Sequence, residues 1–131
     1  MQTFLPYPSL VESVRCLDRA RLGKQRVEAR QILATLRGAS NAWAFHPAIK
    51  MWRGYEAALS LYGDLCIIEW IKRGYKNNMP VFAMKNVVLP TWIGNKTFHI
   101  SHQSNLLRKF PEHYSQFGWN VPDYLPYVWP I

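Results

Sequence analysis

The sequence is poor in several kinds of residue, and each scarcity excludes a class of protein. Only two of the 131 residues are cysteines, Cys16 and Cys66, and they form neither a C-x-x-C pair nor a zinc quartet. Two cysteines do not make a disulfide framework, so each is predicted to be a reduced, packed thiol. No apolar run approaches the roughly 20 residues that span a bilayer, and the N-terminus lacks a signal peptide's basic start and apolar core. We therefore expect a soluble, cytoplasmic protein with no membrane partner.

Acidic residues are scarce as well. Asp and Glu number 8 against 16 Lys and Arg, which gives a formal net charge of +8. So large a charge on a chain of one-domain length favours a polyanionic partner, with DNA and RNA ahead of an anionic membrane. We expect a single domain over residues 1–131, long enough to bury a real core.

The stretch from Leu17 to Leu36 has the periodicity of a helix with one buried side. Apolar residues recur at the spacing of a core-facing stripe. They are Leu22, Ala29, Leu33 and Leu36. Arg37 and Gly38 follow as a basic last turn and a glycine stop.

A neighbouring side of the same helix carries one carboxylate among cations. Arg21, Lys24, Glu28 and Gln31 follow one another at three- and four-residue steps, so their side chains reach a common point. The cations would hold an anionic ligand, and Glu28 would stand where proton chemistry takes place. The alternative is a solvated ion pair of Glu28 with Lys24 or Arg21, worth only about 0.2 to 0.5 kcal/mol.

The rest of the pattern predicts a mainly α protein: a compact bundle of about three main helices with an N-terminal arm and a loop-rich, aromatic C-terminal segment. Pro6 and Pro8 favour an extended arm at the start. The other expected segments are a connector over 41–45, a second helix or kinked pair from 47 to about 72, possible short strands at 81–84 and 86–89, a third helix over 101–110 and an irregular tail over 117–131 packed on the bundle.

Loop aromatics allow two interpretations. Trp43, Phe45 and Trp92 each more often belong to the core, since aromatic rings carry the largest apolar area. The alternative is that they stack on nucleobases or fill a gap in a distorted duplex.

The histidines do not predict a metal site. His99 and His102 share a helix face but have no carboxylate or cysteine at ligand spacing, so we expect no metal and no cofactor. His46 precedes the proline that opens a helix, which makes a capping role the default. A contact from His46 to a DNA phosphate or to a reaction intermediate is the alternative.

An ordered set of residues resembles the pyrimidine-dimer DNA glycosylase/AP lyase family, typified by the phage endonuclease V. The set is Leu17-Asp18-Arg19, Leu22, Glu28-Ala29, Leu36-Arg37-Gly38, His46-Pro47 and Lys72-Arg73-Gly74-Tyr75. The resemblance implies that an N-terminal α-amine attacks the anomeric carbon of the sugar, that the base leaves, and that the resulting Schiff base undergoes β-elimination and nicks the strand. It also implies an essential glutamate on a helix. The matching groups here are the amine of Met1 and the carboxylate of Glu28.

The same resemblance implies a double-stranded DNA partner, bound by a monomer in the nucleoid or on viral DNA. The cationic and imidazole side chains expected to contact DNA are Arg15, Arg19, Arg21, Lys24, Arg26, His46, Arg108 and Lys109. An α-amine titrates at roughly 7.7 to 8.0, so a useful fraction is neutral near physiological pH. Because Gln2 is bulky, we expect Met1 to be retained.

The chain departs from the family pattern at two positions on the helix. Val27 stands where typical members have an arginine just before the glutamate, and Gln31 replaces a basic residue one turn later. Two other functions therefore stay open. One is a non-catalytic DNA-binding module on the same scaffold, and the other is a domain that binds RNA or an acidic partner.

Overall fold

The computed structural model describes residues 1–39 and 42–131, and this part of the chain is helical with no strand. The helices are α1 (Leu10–Arg15), α2 (Arg19–Leu36), α3 (Pro47–Lys50), α4 (Glu56–Lys72), α5 (Lys96–Lys109) and α6 (Pro111–Tyr114), followed by a 3-10 turn at Ser115–Phe117. Three of them, α2, α4 and α5, are long. The prediction of a mainly α fold with about three main helices is confirmed.

Helix α2 begins and ends where local chemistry requires. The side chain of Asp18 caps it by accepting the backbone N–H of Arg21 at 3.4 Å, which satisfies one of the donors left open at a helix N-terminus. Gly38 lies just beyond its C-terminus at φ +106°, a conformation that glycine adopts without strain. Leu22, Ala29 and Leu33 are buried, so the predicted apolar stripe is confirmed.

Helices α2 and α4 pack against each other at the centre of the molecule. A Cβ placed on Gly63 of α4 would lie 3.2 Å from the Cβ of Ala29 on α2, so the small residue lets the two backbones approach closely. Trp52 and Tyr62 are fully buried beside this contact. Cys16 and Cys66 are buried and free, as predicted.

The structure adds one helix to the predicted segments and changes the outline of two others. Helix α1 was not foreseen, and it forms because Ser9 accepts the backbone N–H of Glu12 at 3.2 Å despite the nearby prolines. Of the two forms predicted for the second helical segment, the structure has a pair of helices: the segment is broken between α3 and α4, where Gly54 takes φ +87°. The third helix begins at Lys96 instead of 101, because Asn95 caps it through the N–H of Phe98.

The strands expected at 81–84 and 86–89 are absent from the described structure. The N–H groups of Phe82 and Ala83 donate to the Asp64 carboxylate, each at 2.9 Å, and no neighbouring strand pairs with them. Ala83 and Asn86 have positive φ, which breaks an extended backbone. Asn41, at the start of the predicted connector, lies outside the described residues.

The C-terminal segment after the 3-10 turn is irregular and packs on the core through Tyr127, Val128 and Trp129, as predicted. Among the described residues no helix has both the length and the hydropathy needed to cross a bilayer.

Candidate active site

The N-terminal arm, residues 2–6, is buried although it has no regular secondary structure. One side chain of α2, that of Gln25, bonds to the backbone of the arm as a neighbouring strand would. The Gln25 amide donates from Nε2 to the Gln2 carbonyl at 2.8 Å and accepts the Phe4 N–H on Oε1 at 2.8 Å. The Tyr62 hydroxyl lies 2.7 Å from the same Oε1 and orients the amide. Gln25 thus fixes the first residues of the chain against α2.

Two histidines of α5 hold the next peptide group of the arm. The Leu5 N–H donates to Nδ1 of His102 at 2.9 Å, and Nδ1 of His99 lies 2.7 Å from the Leu5 carbonyl. Nε2 of His99 accepts the Gly94 N–H, so its Nδ1 carries the proton. Burial lowers the pKa of both rings, to about 3 for His102. Both histidines are therefore neutral structural groups.

Glu28 contacts the arm at its first peptide group. The Gln2 N–H donates to Glu28 Oε2 at 3.1 Å, and Lys24 Nζ lies 3.7 Å from Oε1. Glu28 is only 9% exposed. The alternative of a solvated ion pair is therefore wrong in part: the pair with Lys24 exists, but its carboxylate is buried against the start of the chain.

Met1 and Glu28 line one pocket of about 370 Å³. The other lining residues are Gln2, Phe4, Ala20, Arg21, Lys24, Gln25, Lys109 and Tyr127. Burial, and then the charges of Arg21, Arg108 and Lys24, lower the pKa of Lys109. Burial raises the pKa of Tyr127 to about 12, so it stays a neutral hydroxyl. The pocket therefore combines one carboxylate with three cationic side chains.

His46 lies beside this pocket as a helix cap. Its Nδ1 accepts the backbone N–H of Ala48 at 3.0 Å at the start of α3, which confirms the capping prediction. Its ring packs edge to face with Trp43 and Trp129, at 5.5 Å from each. Burial lowers the pKa of His46, and the positive charge of the N-terminal amine lowers it further.

The other predicted DNA contacts separate into groups. Arg19 and Arg26 line a neighbouring groove of about 560 Å³, which shares Lys24 with the pocket. Both are engaged: the Arg26 guanidinium lies 4.5 Å from the Trp70 ring, and that of Arg19 lies 5.1 Å from the Tyr75 ring.

Arg108 and Arg15 stand outside the pocket. Arg108 donates to the Asn105 side chain on its own helix. The exposed Arg15 lines other pockets, near Glu12 and Glu69. The structure therefore assembles Arg21, Lys24 and Lys109 around Glu28, and leaves Arg15 away from it.

The three loop aromatics differ in burial. Trp92 belongs to the core, donating from Nε1 to the Met51 carbonyl at 3.1 Å. Trp43 is 50% exposed and Phe45 83% exposed, so for these two the interpretation as core residues is wrong. Both lie between α2 and α3.

Sequence reasoning missed three polar residues of the pocket: Gln2, Gln25 and Tyr127. Gln25 lies three residues after Leu22 and four before Ala29 on α2. A polar residue within the apolar stripe was therefore the available signal in the sequence. Nothing in the sequence indicates that Tyr127, almost a hundred residues away, returns to the same pocket. Within the described ranges no three His, Cys, Asp or Glu side chains gather as metal ligands.

Comparison with known families identifies the family of the chain. The chain belongs to the pyrimidine dimer DNA glycosylase family, whose family model matches residues 1–83. That range contains the N-terminal arm and helix α2, which supply most of the pocket, including Met1 and Glu28. Searches of curated proteins and of solved structures gave no significant match. The family membership makes this a DNA repair glycosylase in general and DNA its substrate.

Proposed function

We propose that this protein is a DNA glycosylase with AP lyase activity, and that the α-amine of Met1 is its nucleophile. The observation that carries the proposal is the hydrogen bond from the Gln2 N–H to Glu28 Oε2, at 3.1 Å. Because Met1 precedes that peptide group, its amine is confined to the neighbourhood of a buried carboxylate. An amine and a carboxylate held together in a cationic pocket are the groups that such a reaction needs.

The amine nitrogen would form a bond to C1′ of the sugar while the bond from C1′ to the base breaks and its electron pair leaves with the base. Loss of a proton from the nitrogen and opening of the sugar ring give the imine. Removal of a proton from C2′ then expels the 3′ phosphate oxygen and cuts the strand. Glu28 would stabilise the cationic sugar as an anion and carry protons between these steps.

The cationic side chains give the pocket its affinity for DNA. Arg21, Lys24 and Lys109 line it together, and the chain carries a net charge of +8. Phosphate contacts of this kind position the duplex and release counterions, so log affinity should fall by roughly 0.9 per neutralised phosphate per log unit of salt.

Phe45 is the aromatic residue best placed to enter the duplex. It is 83% exposed, and the next residue, His46, contacts Trp129, which in turn contacts the pocket residue Tyr127 at 5.7 Å. Extruding a nucleotide leaves a gap that an apolar side chain can fill. Phe45→Ala should weaken binding to lesion duplex about tenfold more than binding to intact duplex. Equal weakening on both would assign Phe45 no role at the lesion.

The direct test is borohydride trapping of the protein on a duplex with one abasic site. Reduction of the imine should give a stable covalent complex with the intact protein, and none after acetylation of the N-terminus. Glu28→Gln should abolish or severely slow trapping, and the exposed Glu12→Gln is the matched control that should not. Peptide mapping of the adduct must identify Met1; an adduct on a lysine would refute the proposed nucleophile.

The two alternatives are separated by the same preparation. A non-catalytic DNA-binding module would bind duplex with strong salt dependence and give no trapping or nicking. A domain that binds RNA or an acidic partner would prefer RNA to duplex DNA in competition at fixed ionic strength.

A further inference from the structure

Gln2 presents a buried hydrogen-bond donor that the protein leaves unused. The residue is 6% exposed, and its side-chain Nε2 finds no acceptor anywhere in the described part of the chain. Its Oε1 accepts the Thr3 N–H at 2.9 Å, so the orientation of the amide is fixed. Turning the amide over would set its NH₂ group against that N–H.

The location of this donor distinguishes it from the other unpartnered buried atoms. These are Arg26 Nε, Arg30 Nε, Ser60 Oγ and His102 Nε2. Of the five residues, only Gln2 lines the pocket that contains Met1 and Glu28 within the described structure. A buried NH₂ without a partner lowers stability, and a ligand that supplies an acceptor removes that cost.

We propose that the Gln2 side-chain amide is a substrate-binding group that donates a hydrogen bond to an oxygen of the nucleotide held in the pocket. The proposal rests on the proposed function, since it assumes that a nucleotide occupies this pocket. The acceptor is either a carbonyl oxygen of the pyrimidine or a phosphate oxygen beside it. A neutral amide suits both acceptors, and it adds no charge beside the Glu28 carboxylate.

A contact to the base has a consequence for catalysis. When the bond from C1′ to the base breaks, the electron pair remains on the base and negative charge grows on its carbonyl oxygens. A donor that bonds to such an oxygen stabilises the departing base. Gln2 would then select for a pyrimidine carbonyl during base release and have no part in cutting an abasic site.

The experiment compares two substrates in single turnover: a duplex with one cyclobutane pyrimidine dimer and a duplex with one abasic site. The variant is Gln2→Met, which keeps the length of the side chain and removes both amide groups; Gln2→Ala is used if the methionine variant does not fold. Gln116→Met is the matched control, because the exposed Gln116 amide lies on the 3-10 turn and bonds to His113 on α6, away from the pocket. Readouts are base release and borohydride trapping, each measured over a range of DNA concentrations up to saturation.

A contact to the base predicts that Gln2→Met slows base release from the dimer at least tenfold while trapping on the abasic duplex is unchanged. A contact to a phosphate predicts that both substrates need at least tenfold more DNA for half saturation while both maximal rates are unchanged. Either result supports the proposal and names the acceptor.

Two results would overturn it. One is no change on either substrate. The other is an equal fall in both maximal rates, which would mean that the variant displaces the arm and that Gln2 is only structural. If the wild-type protein itself is not trapped, the proposed chemistry has failed separately. The Gln2 contact then stands only if Gln2→Met lowers affinity for the dimer duplex at least tenfold.

Discussion

Two segments without regular secondary structure behave in opposite ways in this protein. The N-terminal arm, residues 2–6, is buried in the bundle, whereas the loop over residues 75–91 crosses its surface and is largely exposed. Val88 and Leu89 in the loop are exposed hydrophobic residues, while Leu5 in the arm is fully buried.

The difference lies in how the peptide groups of each segment find hydrogen-bond partners. In the arm, peptide groups of Gln2, Phe4 and Leu5 bond to side chains of α2, α4 and α5. The loop has a few anchors, such as the Asp64 carboxylate and the Arg30 guanidinium, and much of the rest is open to water. A buried irregular segment needs dedicated polar partners, and such partners hold it in one position. That is how the start of the chain becomes a defined part of a pocket.

The largest expected effect is at the end of the arm. Glu28→Gln removes the anionic charge but keeps an oxygen that can accept the Gln2 N–H, so the arm should stay in place. We expect the rate of trapping on abasic DNA to fall by about 10²- to 10⁴-fold, the usual contribution of an acid–base group. Circular dichroism should show an unchanged fold, and a rate within threefold of wild type would contradict the role given to Glu28.

The second prediction concerns the anchor of the arm. Gln25→Met leaves the Gln2 carbonyl and the Phe4 N–H buried without their partner, so the free energy of unfolding should fall on the order of 3 kcal/mol. Gln103→Met is the control, because it removes only one bond, from the half-buried Gln103 amide to the Pro6 carbonyl, and should cost about 1 kcal/mol. Urea denaturation measures both. Equal losses would show that the arm is not held mainly by Gln25.

The third prediction uses pH to loosen the arm. Burial lowers the pKa of His102 to about 3, while in the unfolded chain the ring takes up a proton below about 6.5. The unfolded state therefore binds more protons between these values, and stability should fall as pH drops from about 6.5 towards 3. This one group contributes up to about 1.4 kcal/mol per pH unit. His99, whose pKa is also lowered, acts in the same direction.

His102→Asn separates this effect from other titrations, since asparagine can still accept the Leu5 N–H but does not titrate. The free energy of unfolding, measured at several pH values between 7.5 and 5, should depend less steeply on pH in the variant than in the wild type. If the free energy of unfolding depends on pH equally steeply in both proteins, His102 does not contribute to the pH dependence.

The smallest effect is expected in the loop. Asp64→Ala removes the acceptor of the Phe82 and Ala83 N–H groups, but these residues are exposed and water can replace the carboxylate. We expect the free energy of unfolding to fall by about 1 kcal/mol or less and trapping on abasic DNA to be unchanged. A loss of trapping activity as large as that of Glu28→Gln would mean that the loop also positions the pocket.

Some of these features were accessible from residue patterns. The apolar stripe of α2 and its neighbouring charged side follow from helical periodicity, which depends only on local geometry. The glycine stop at Gly38 and the cap at His46 depend on neighbours within a few residues. The expectation that Glu28 lies among cations follows from the same periodicity.

Other features depend on contacts between distant parts of the chain. The strands expected at 81–84 and 86–89 fail because extended backbone needs a partner strand, and the bundle offers the Asp64 carboxylate instead. Phe45 was assigned to the core because aromatic side chains are usually buried, yet it is exposed between α2 and α3. Gln2 and Tyr127 reach the pocket only through the path of the arm and the tail.

The sequence by itself determined the three long helices in outline, the excess of positive charge and the row of polar residues on α2, because each depends on composition or on spacing within one or two helical turns. The tertiary structure alone decided that the beginning of the chain passes between α2, α4 and α5 and ends beside Glu28. That path depends on hydrogen bonds between residues up to 97 positions apart, and no local pattern encodes which buried side chain will meet which peptide group.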